Sequence, residues 1–454
     1  MQNTLRALLL LSGVILASTA FRSQQTVRIA SMILLKNATL IDGNGGPATA
    51  NTDLLIQDNL ITAVGRNLRA TGAQVIDLTG KTVMPSLIST HVHVGTLKGT
   101  TTSGANYTRD NILNQLRKYE TYGVTTIQVM GTDRPMLFDS GLRDSSQAGQ
   151  LPGARLFSAG YGFGTPQGGP PAEMGMDQVF RPVSAAEVPA EIDSLSGLKP
   201  SLVKMWIDDF GGRYKKMDPT VYKTIITQAH QHNLRVAAHV YYLSDARELA
   251  AGGLDLFAHS IRDSIVDDAL LQQMKTKGMA YIPTLSLDEF AYVYARKPEW
   301  INDAFFKASL EPGAYEMITS EKYQNDLKNA PNYAKNIRAF ETALQNLKKI
   351  HAAGILVALG TDSGASAVRA QGFSEHLELQ LMVEAGLTPL QAITAATRNA
   401  AQLLKIDKAY GTLEKGKVAD LIILGGNPVK DIKNTRKIEA VYKAGRLVSK
   451  GPVE

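Results

Sequence analysis

The sequence predicts an α/β fold whose main part is a (β/α)8 TIM barrel. Between residues 85 and 408, short apolar runs typical of strands alternate with stretches of helical periodicity, and this alternation favours a parallel barrel with insertions. The predicted barrel strands lie at 86–93, 124–130, 154–160, 202–208, 235–241, 254–260, 279–284 and 355–362. A doubly wound open sheet is the alternative, but the sequence has no strand–GxGxxG–helix unit to support it.

Both ends of the chain predict a second, smaller β domain. Short apolar runs broken by turn residues occur at 31–35, 38–41, 53–56, 60–64, 419–424 and 440–443, as in antiparallel strands. We therefore expect residues 21–84 and 409–454 to build one composite β-sandwich, with the barrel of residues 85–408 inserted between them. Residues 285–350 have helical periodicity in parts and predict a helical insertion that forms a lid.

Composition excludes several kinds of chemistry. The chain has 454 residues and no cysteine, so disulfides, thiolate zinc sites, Fe–S clusters and thiol nucleophiles are excluded. The 48 basic and 42 acidic residues give a net charge of only +6. Without a long Lys/Arg run, this charge favours an ordinary globular protein that does not bind nucleic acid.

Residues 1–20 predict an export signal. Arg6 precedes an almost wholly apolar run from Ala7 to Leu16, and the small residues Ser18 and Ala20 lie before an expected cleavage site. The run is too short to span a bilayer comfortably. We therefore expect an exported protein, periplasmic or extracellular, without stable membrane insertion; an uncleaved membrane anchor is the alternative.

Ionisable side chains occur near the ends of the predicted barrel strands. The side chains of His91 and His93 project to the same face of a strand because they are two residues apart. Catalytic sites of such barrels lie at the carboxyl ends of the strands. Burying these groups together would be costly without a shared partner, and a divalent cation supplies one. The candidate ligands are His91, His93, Lys204, His239, His259 and Asp362.

The other four histidines have simpler interpretations. His230 and His232 also have HxH spacing, but they lie in a segment of helical periodicity, where residues two apart face different sides. We expect both of them to face solvent. His351 is expected near the end of a helix before Gly354, and His376 on the surface of a later helix.

The candidate ligands, in this order along the chain, resemble those of the amidohydrolase superfamily, and most closely its imidazolonepropionase-like branch. The segments 384–393 (EAGLTPLQAI) and 410–421 (YGTLEKGKVADL) are also similar to motifs of that family. The resemblance covers nearly the whole chain after the predicted signal, and it implies a (β/α)8 barrel with a β-sandwich built from both chain ends. The sequence departs from the family pattern at Ser86, Ser89, Tyr241 and Ala258, which leaves the substrate more open than the metal.

The resemblance also implies a centre of two divalent metal ions. A buried lysine loses its proton readily, and its free amine can add carbon dioxide to form a carbamate. The implied ligands are His91, His93 and Asp362 for one ion, His239 and His259 for the other, and carboxylated Lys204 as the bridge. Zinc is the expected metal, with manganese or cobalt as substitutes. A single-metal site with unmodified Lys204 is the alternative.

These residues predict metal-dependent hydrolysis of an amide C–N bond, with Asp362 as general acid and base. The expected substrate is a small molecule, either a dipeptide or an N-acyl amino acid; a cyclic amide such as an imidazolone or lactam is the alternative. Tyr241, Arg262 and Tyr161 are the candidate substrate-binding residues. A metal-stabilised binding protein on an inactive barrel is the non-enzyme alternative. The sequence leaves open whether the protein is a monomer or a homo-oligomer.

Overall fold

The computed structural model describes residues 32–172 and 175–453. The predicted export signal lies outside these residues. Within them, no helix combines the length and the apolar character that crossing a membrane requires.

The described residues form strands and helices in alternation through the middle of the chain. The strands are β1 (Met32–Leu40), β2 (Thr49–Gln57), β3 (Leu60–Gly65), β4 (Gln74–Asp77), β5 (Thr82–Pro85), β6 (Leu87–Val92), β7 (Leu97–Lys98), β8 (Thr101–Thr102), β9 (Val124–Val129), β10 (Arg155–Ser158), β11 (Val203–Trp206), β12 (Val236–His239), β13 (Leu256–Ala258), β14 (Ala280–Ile282), β15 (Leu356–Val357), β16 (Leu421–Leu424), β17 (Ile438–Lys443) and β18 (Arg446–Ser449).

The helices connect the barrel strands and cover them. They are α1 (Arg109–Thr121), α2 (Pro135–Asp139), α3 (Leu142–Gln147), α4 (Val188–Gly197), α5 (Pro219–Gln231), α6 (Leu243–Ala251), α7 (Asp268–Thr276), α8 (Leu285–Phe290), α9 (Ala304–Lys307), α10 (Ala314–Thr319), α11 (Glu321–Lys328), α12 (Tyr333–Ala352), α13 (Phe373–Glu384), α14 (Pro389–Ala396) and α15 (Arg398–Leu403). Short 3-10 turns lie at Gly104–Asn106, Val293–Arg296, Glu299–Asn302 and Ile432–Arg436.

The parallel strands close into the predicted (β/α)8 barrel. Ladders join β10–β9–β6 and β11–β12–β13–β14–β15. Backbone hydrogen bonds close both remaining gaps: Thr90 N donates to Leu359 O (2.8 Å), and Phe163 N donates to Lys204 O (2.8 Å). Strands β6, β9, β10, β11 and β12 are buried along their whole length, as expected of parallel strands covered on both faces.

The two ends of the chain meet in one sheet of order β18-β17-β16-β5-β1-β2-β3, with β4 paired to β1. The meeting point is the antiparallel pair β5–β16, in which Pro85 lies opposite Leu421. Leu35, Ile56 and Ile423 share its apolar core. Strands from both ends of the chain thus share one sheet, and β5 in this sheet directly precedes the barrel strand β6.

The predicted insertion is helical, and it comprises α8 to α12 with the 3-10 turns between them. A cluster of buried aromatic rings holds it together, including Tyr294, Trp300 and Phe306. Glu378 on α13 accepts hydrogen bonds from the backbone N–H groups of Leu285 (2.8 Å) and Ser286 (2.7 Å). These bonds satisfy two free amides at the start of α8 and fix that helix beside the carboxyl end of β14.

Candidate metal centre

His91, His93 and Asp362 meet at the carboxyl end of the barrel. The two histidines come from the end of β6, and Asp362 follows β15, which is β6's neighbour across the closed barrel. The Nε2 atoms of His91 and His93 lie 3.2 and 2.7 Å from Asp362 Oδ1. One ligand atom from each residue falls within 4.8 Å of the other two. This triad has the reach and the donor atoms to hold one cation.

His239 and His259 lie beside this triad. His239 is the last residue of β12, His259 directly follows β13, and their ring centroids are 4.3 Å apart. The ring of His259 is also 4.5 Å from that of His91. The structure therefore brings all four predicted histidines into one cluster.

Lys204 lies beneath the histidines on β11. Its side chain is fully buried, and its Nζ has no hydrogen-bond partner among the described residues. A Cβ on Gly131 would come within 2.9 Å of Lys204 Cβ, so the neighbouring segment leaves room for the lysine stem only because residue 131 is glycine. Burial lowers the pKa of Lys204 to about 7, which leaves much of the amine uncharged at neutral pH.

Burial also favours the neutral form of His91 and His259. It lowers the pKa of His91 to about 3 and that of His259 well below its usual value, and the positive charges nearby act in the same direction. For Asp362, burial alone would raise the pKa, but Arg369 and His93 outweigh it and the pKa stays well below its usual range. Neutral imidazole and ionised carboxylate are the forms that bind metal.

The unpaired polar atoms at this cluster fit a metal ion. Within the described part of the chain, His91 Nδ1 and Lys204 Nζ are buried without a hydrogen bond, and His91 Nε2 approaches Asp362 Oδ1 at 3.2 Å without forming one. Unpaired buried polar groups are costly. A divalent cation would satisfy the histidine nitrogens, and carboxylation would turn Lys204 into an oxygen ligand.

Two threonines contact His93 and His259, and sequence reasoning missed both of them. Their position just after neighbouring strands is the signal that could have found them. His93 Nδ1 lies 2.7 Å from Thr132 Oγ1, and His259 Nδ1 lies 2.9 Å from Thr284 Oγ1. When each ring donates through Nδ1, its Nε2 lone pair is free for a ligand. A hydroxyl that accepts from Nδ1 is thus compatible with metal binding through Nε2.

A cavity of about 710 Å³ opens above the cluster. His93, His239 and Asp362 lie at its base, and the helical insertion contributes Leu287 and Lys335 to its wall. The lid predicted from residues 285–350 therefore borders the cavity, with α8 on one side and the start of α12 on another.

The three predicted substrate-binding residues are placed differently. Arg262 and Tyr241 both line the cavity, with the Arg262 guanidinium 4.7 Å from the Tyr241 ring centroid. Arg262 Nε also pairs with Asp288 Oδ1 at 2.9 Å. Tyr161 does not line this cavity. Its ring packs against Phe138 and Phe180.

Two charged residues at the cavity were missed by sequence reasoning. Arg369 pairs with Asp362 Oδ2 and lines the cavity. Asp208, just after β11, also lines it, and its Oδ2 lies 3.4 Å from His239 Nε2. Both follow barrel strands, which is the one signal in the sequence that would have found them.

The remaining histidines lie away from the cluster. His230 and His232 are exposed, as expected, and they pair with Asp255 and Asp193. His351 lies in the last turn of α12. The expectation that His376 is a surface residue is wrong: its side chain is buried and its Nε2 lies 2.9 Å from Tyr122 O, because α13 packs between the barrel and the Ile432–Arg436 turn.

A metal-dependent hydrolase is the class of protein that this barrel and its cluster of imidazoles define. The amidohydrolase family matches residues 82–448, and the chain belongs to that family. It is therefore a hydrolase that acts on carbon–nitrogen bonds. Members of the family generally use a divalent metal centre.

Comparison with known proteins extends the match to almost the whole chain. Ochratoxinase from Aspergillus niger is 27% identical over 467 aligned positions, which cover 93% of this chain and 88% of the relative. A solved Xaa-Pro dipeptidase with bound methionine has a TM-score of 0.71 at 24% identity, covering 92% of this chain and 99% of its own. A putative prolidase from Bifidobacterium longum has a TM-score of 0.72 at 24% identity, covering 93% of this chain and 96% of its own. These two structures share the fold.

Proposed function

We propose that this protein hydrolyses the amide bond of a small substrate that carries a carboxylate, either a dipeptide or an N-acyl amino acid. The observation that supports this most is the placement of Arg262 in the wall of a cavity whose base is the histidine cluster. Its Nε pairs with Asp288 and its Nη1 donates to the carbonyl oxygens of Ser260 (2.7 Å) and Val240 (3.3 Å), so a substrate carboxylate would be bound through Nη2. One of the similar structures is a dipeptidase, an enzyme that hydrolyses amide bonds, and this supports the same proposal.

The proposed cofactor is a pair of divalent cations, zinc being the first choice for imidazole and carboxylate ligands. His91, His93 and Asp362 would hold one ion, His239 and His259 the other, and Lys204, carboxylated, would bind both. When bound, such cations polarise a carbonyl and lower the pKa of water toward neutrality.

The residues of the chain move the proton. Asp362 is ionised and lies at the base of the cavity, so it can accept the proton of the attacking water and deliver it to the leaving nitrogen. Hydrolysis then breaks the C–N bond, with hydroxide added to the carbonyl carbon and a proton to the nitrogen. Tyr241 and Arg262 orient the substrate from the wall above.

A substrate panel tests the proposal. The metal-loaded protein is assayed with dipeptides, N-acyl amino acids, lactams and imidazolones, and we expect turnover in the first two groups. Arg262→Met should lower kcat/KM for those substrates about tenfold or more, because a charge-assisted contact is lost. Turnover of cyclic amides alone would replace the proposal with the cyclic-amide function. No turnover of any amide by fully loaded protein would favour a binding protein.

Residues 1–20 support a further proposal, that the protein is exported. Expression of the full chain in a bacterial host, followed by fractionation and N-terminal sequencing, should find mature protein outside the cytoplasm with residue 21 first. Full-length protein retained in the cytoplasm would contradict export.

A further inference from the structure

The lining of the cavity includes a group of cationic side chains, called the positive side below, and the buried carboxylate of Asp208, called the negative side. On the positive side, Tyr241 has a cation near its ring from two directions: the Arg262 guanidinium at 4.7 Å and Lys335 Nζ at 5.2 Å from the ring centroid. All three residues line the cavity. This side suits a carboxylate.

Asp208 forms the negative side. It lines the cavity but is only 5% exposed. One of its oxygens, Oδ2, lies 3.4 Å from His239 Nε2, whereas Oδ1 is buried with no hydrogen-bond partner among the described residues. A buried carboxylate oxygen without a donor is costly. A donor from the substrate would remove that cost.

Aromatic rings accompany Asp208 on this side. Trp206, Phe210 and Tyr214 come from the same strand end and loop, and all three line the cavity, as does the cationic Arg213 of that loop. Phe210 stacks on His239 with ring centroids 5.1 Å apart, and Tyr214 packs edge-on against Phe210 at 5.9 Å. Aromatic faces beside a carboxylate are a favourable environment for an ammonium group.

We propose that Asp208 binds the free α-ammonium group of the substrate, so that the preferred substrates are dipeptides with an unmodified amino terminus rather than N-acyl amino acids. This inference rests on the proposed amide hydrolysis and decides between its two substrate classes. Asp208 receives the ammonium through Oδ1, with Phe210 and Tyr214 beside it, while Arg262 receives the carboxylate. Asp208 is a specificity-determining residue in this arrangement.

Matched substrates test the proposal. L-Alanyl-L-phenylalanine, L-alanyl-L-leucine and L-alanyl-L-proline are compared with their N-propionyl counterparts, which lack only the amino group. We expect the metal-loaded wild type to favour the alanyl series by about tenfold or more in kcat/KM, as for a charge-assisted hydrogen bond. Equal rates for the two series, or a preference for the propionyl series, would overturn the assignment while leaving amide hydrolysis in place. No turnover of either series would contradict the proposed function itself.

The variant Asp208→Asn should slow the alanyl series more than the propionyl series, so that the ratio of the two rates falls toward one. Equal slowing of both series, or loss of metal, would overturn the proposal because Asp208 would then act through His239. The matched control is Asp209→Asn, since Asp209 is the next residue, bonds Tyr242 Oη at 2.8 Å and is not among the residues that line the cavity. It should keep the wild-type preference.

A pH series on the wild type needs no variant. The α-amino group of a peptide titrates near pH 8, so the ratio of alanyl to propionyl rates should fall as the pH rises from about 7 to about 9.5. The pKa values of Asp208 and His239 are both lowered from their usual ranges, so neither group titrates over this interval and the ratio follows the amino group of the substrate. A ratio that stays constant across this range would contradict ammonium recognition.

Discussion

At the scale of single residues, the site depends on how each ligand is held. Each imidazole has two nitrogens, and only the one without a proton can bind a metal. Thr132 and Thr284 take the Nδ1 side of His93 and His259. These contacts make two hydroxyls, neither of them a metal ligand, important for metal affinity.

The first prediction concerns Thr132. Thr132→Val should lower metal affinity about 10- to 100-fold, because His93 loses the partner that orients its ring. Isothermal titration calorimetry with the metal measures this affinity. The control is Thr126→Val, since Thr126 is also buried, lies on β9, and has an Oγ1 without a hydrogen-bond partner in the described chain. If both variants weaken metal binding equally, the orienting role of Thr132 is wrong.

At the scale of elements, α8 packs against α13 and links the insertion to the barrel. Glu378 fixes the start of α8 through two backbone amides. Further along α8, Glu289 has a buried Oε2 without a hydrogen-bond partner among the described residues. Burial, together with the like charge of Glu384 on α13, raises the pKa of Glu289 to about 8.

This pKa makes stability depend on pH. Because the pKa of Glu289 is raised on folding, the folded state holds a proton that the unfolded state releases between about pH 4.5 and 8. The free energy of unfolding should therefore fall over that range and level off above it. Glu289→Gln removes this loss, so the variant should gain up to about 4 kcal/mol relative to the wild type by pH 8.

Urea unfolding at pH 5 and pH 8 measures the effect. Glu341→Gln, at an exposed position on α12, is the control and should follow the wild type at both pH values. A Glu289→Gln variant whose stability relative to wild type is the same at pH 5 and pH 8 would show that the carboxyl is not protonated in the fold.

At the scale of the whole molecule, Asp420 joins the β domain to the barrel. It precedes β16 and pairs with Arg155 on β10, and both side chains are buried. Asp420 also accepts hydrogen bonds from Thr125 Oγ1 (3.0 Å) and from the backbone N–H of Ala444 (2.7 Å). The segment 410–421, noticed first as a motif, thus has a structural role at the junction.

Removing Asp420 should destabilise the protein strongly. Asp420→Ala leaves the buried Arg155 guanidinium unpaired, and we expect a loss of about 3–5 kcal/mol in the free energy of unfolding. The double variant Arg155→Met/Asp420→Leu should regain most of it, because neither charge is then buried alone. A double variant no more stable than Asp420→Ala would contradict this account of the junction.

The sequence predicted the barrel and its metal cluster because both depend on local patterns. Each barrel strand is an apolar run, and the candidate histidines and Asp362 lie near the end of one, whereas Lys204 lies near the start of β11. Order along the chain therefore sufficed to place His91 and Asp362 together. Asp208 and Arg369 were missed because their roles depend on contacts with His239 and Asp362 that no local pattern encodes. His376 was predicted on the surface but is buried, because helical periodicity does not show that α13 is also covered by the Ile432–Arg436 turn.

Metal analysis of the purified protein, alongside Lys204→Ala, tests the central claim that Lys204 binds two ions in an amide hydrolase. Metal content is measured by inductively coupled plasma mass spectrometry after growth with zinc, and amide hydrolysis is measured on the same samples. We predict two equivalents per chain in the wild type, and one equivalent or fewer with at least about a hundredfold lower kcat in Lys204→Ala. A Lys204→Ala protein with the metal content and rate of the wild type would contradict the claim.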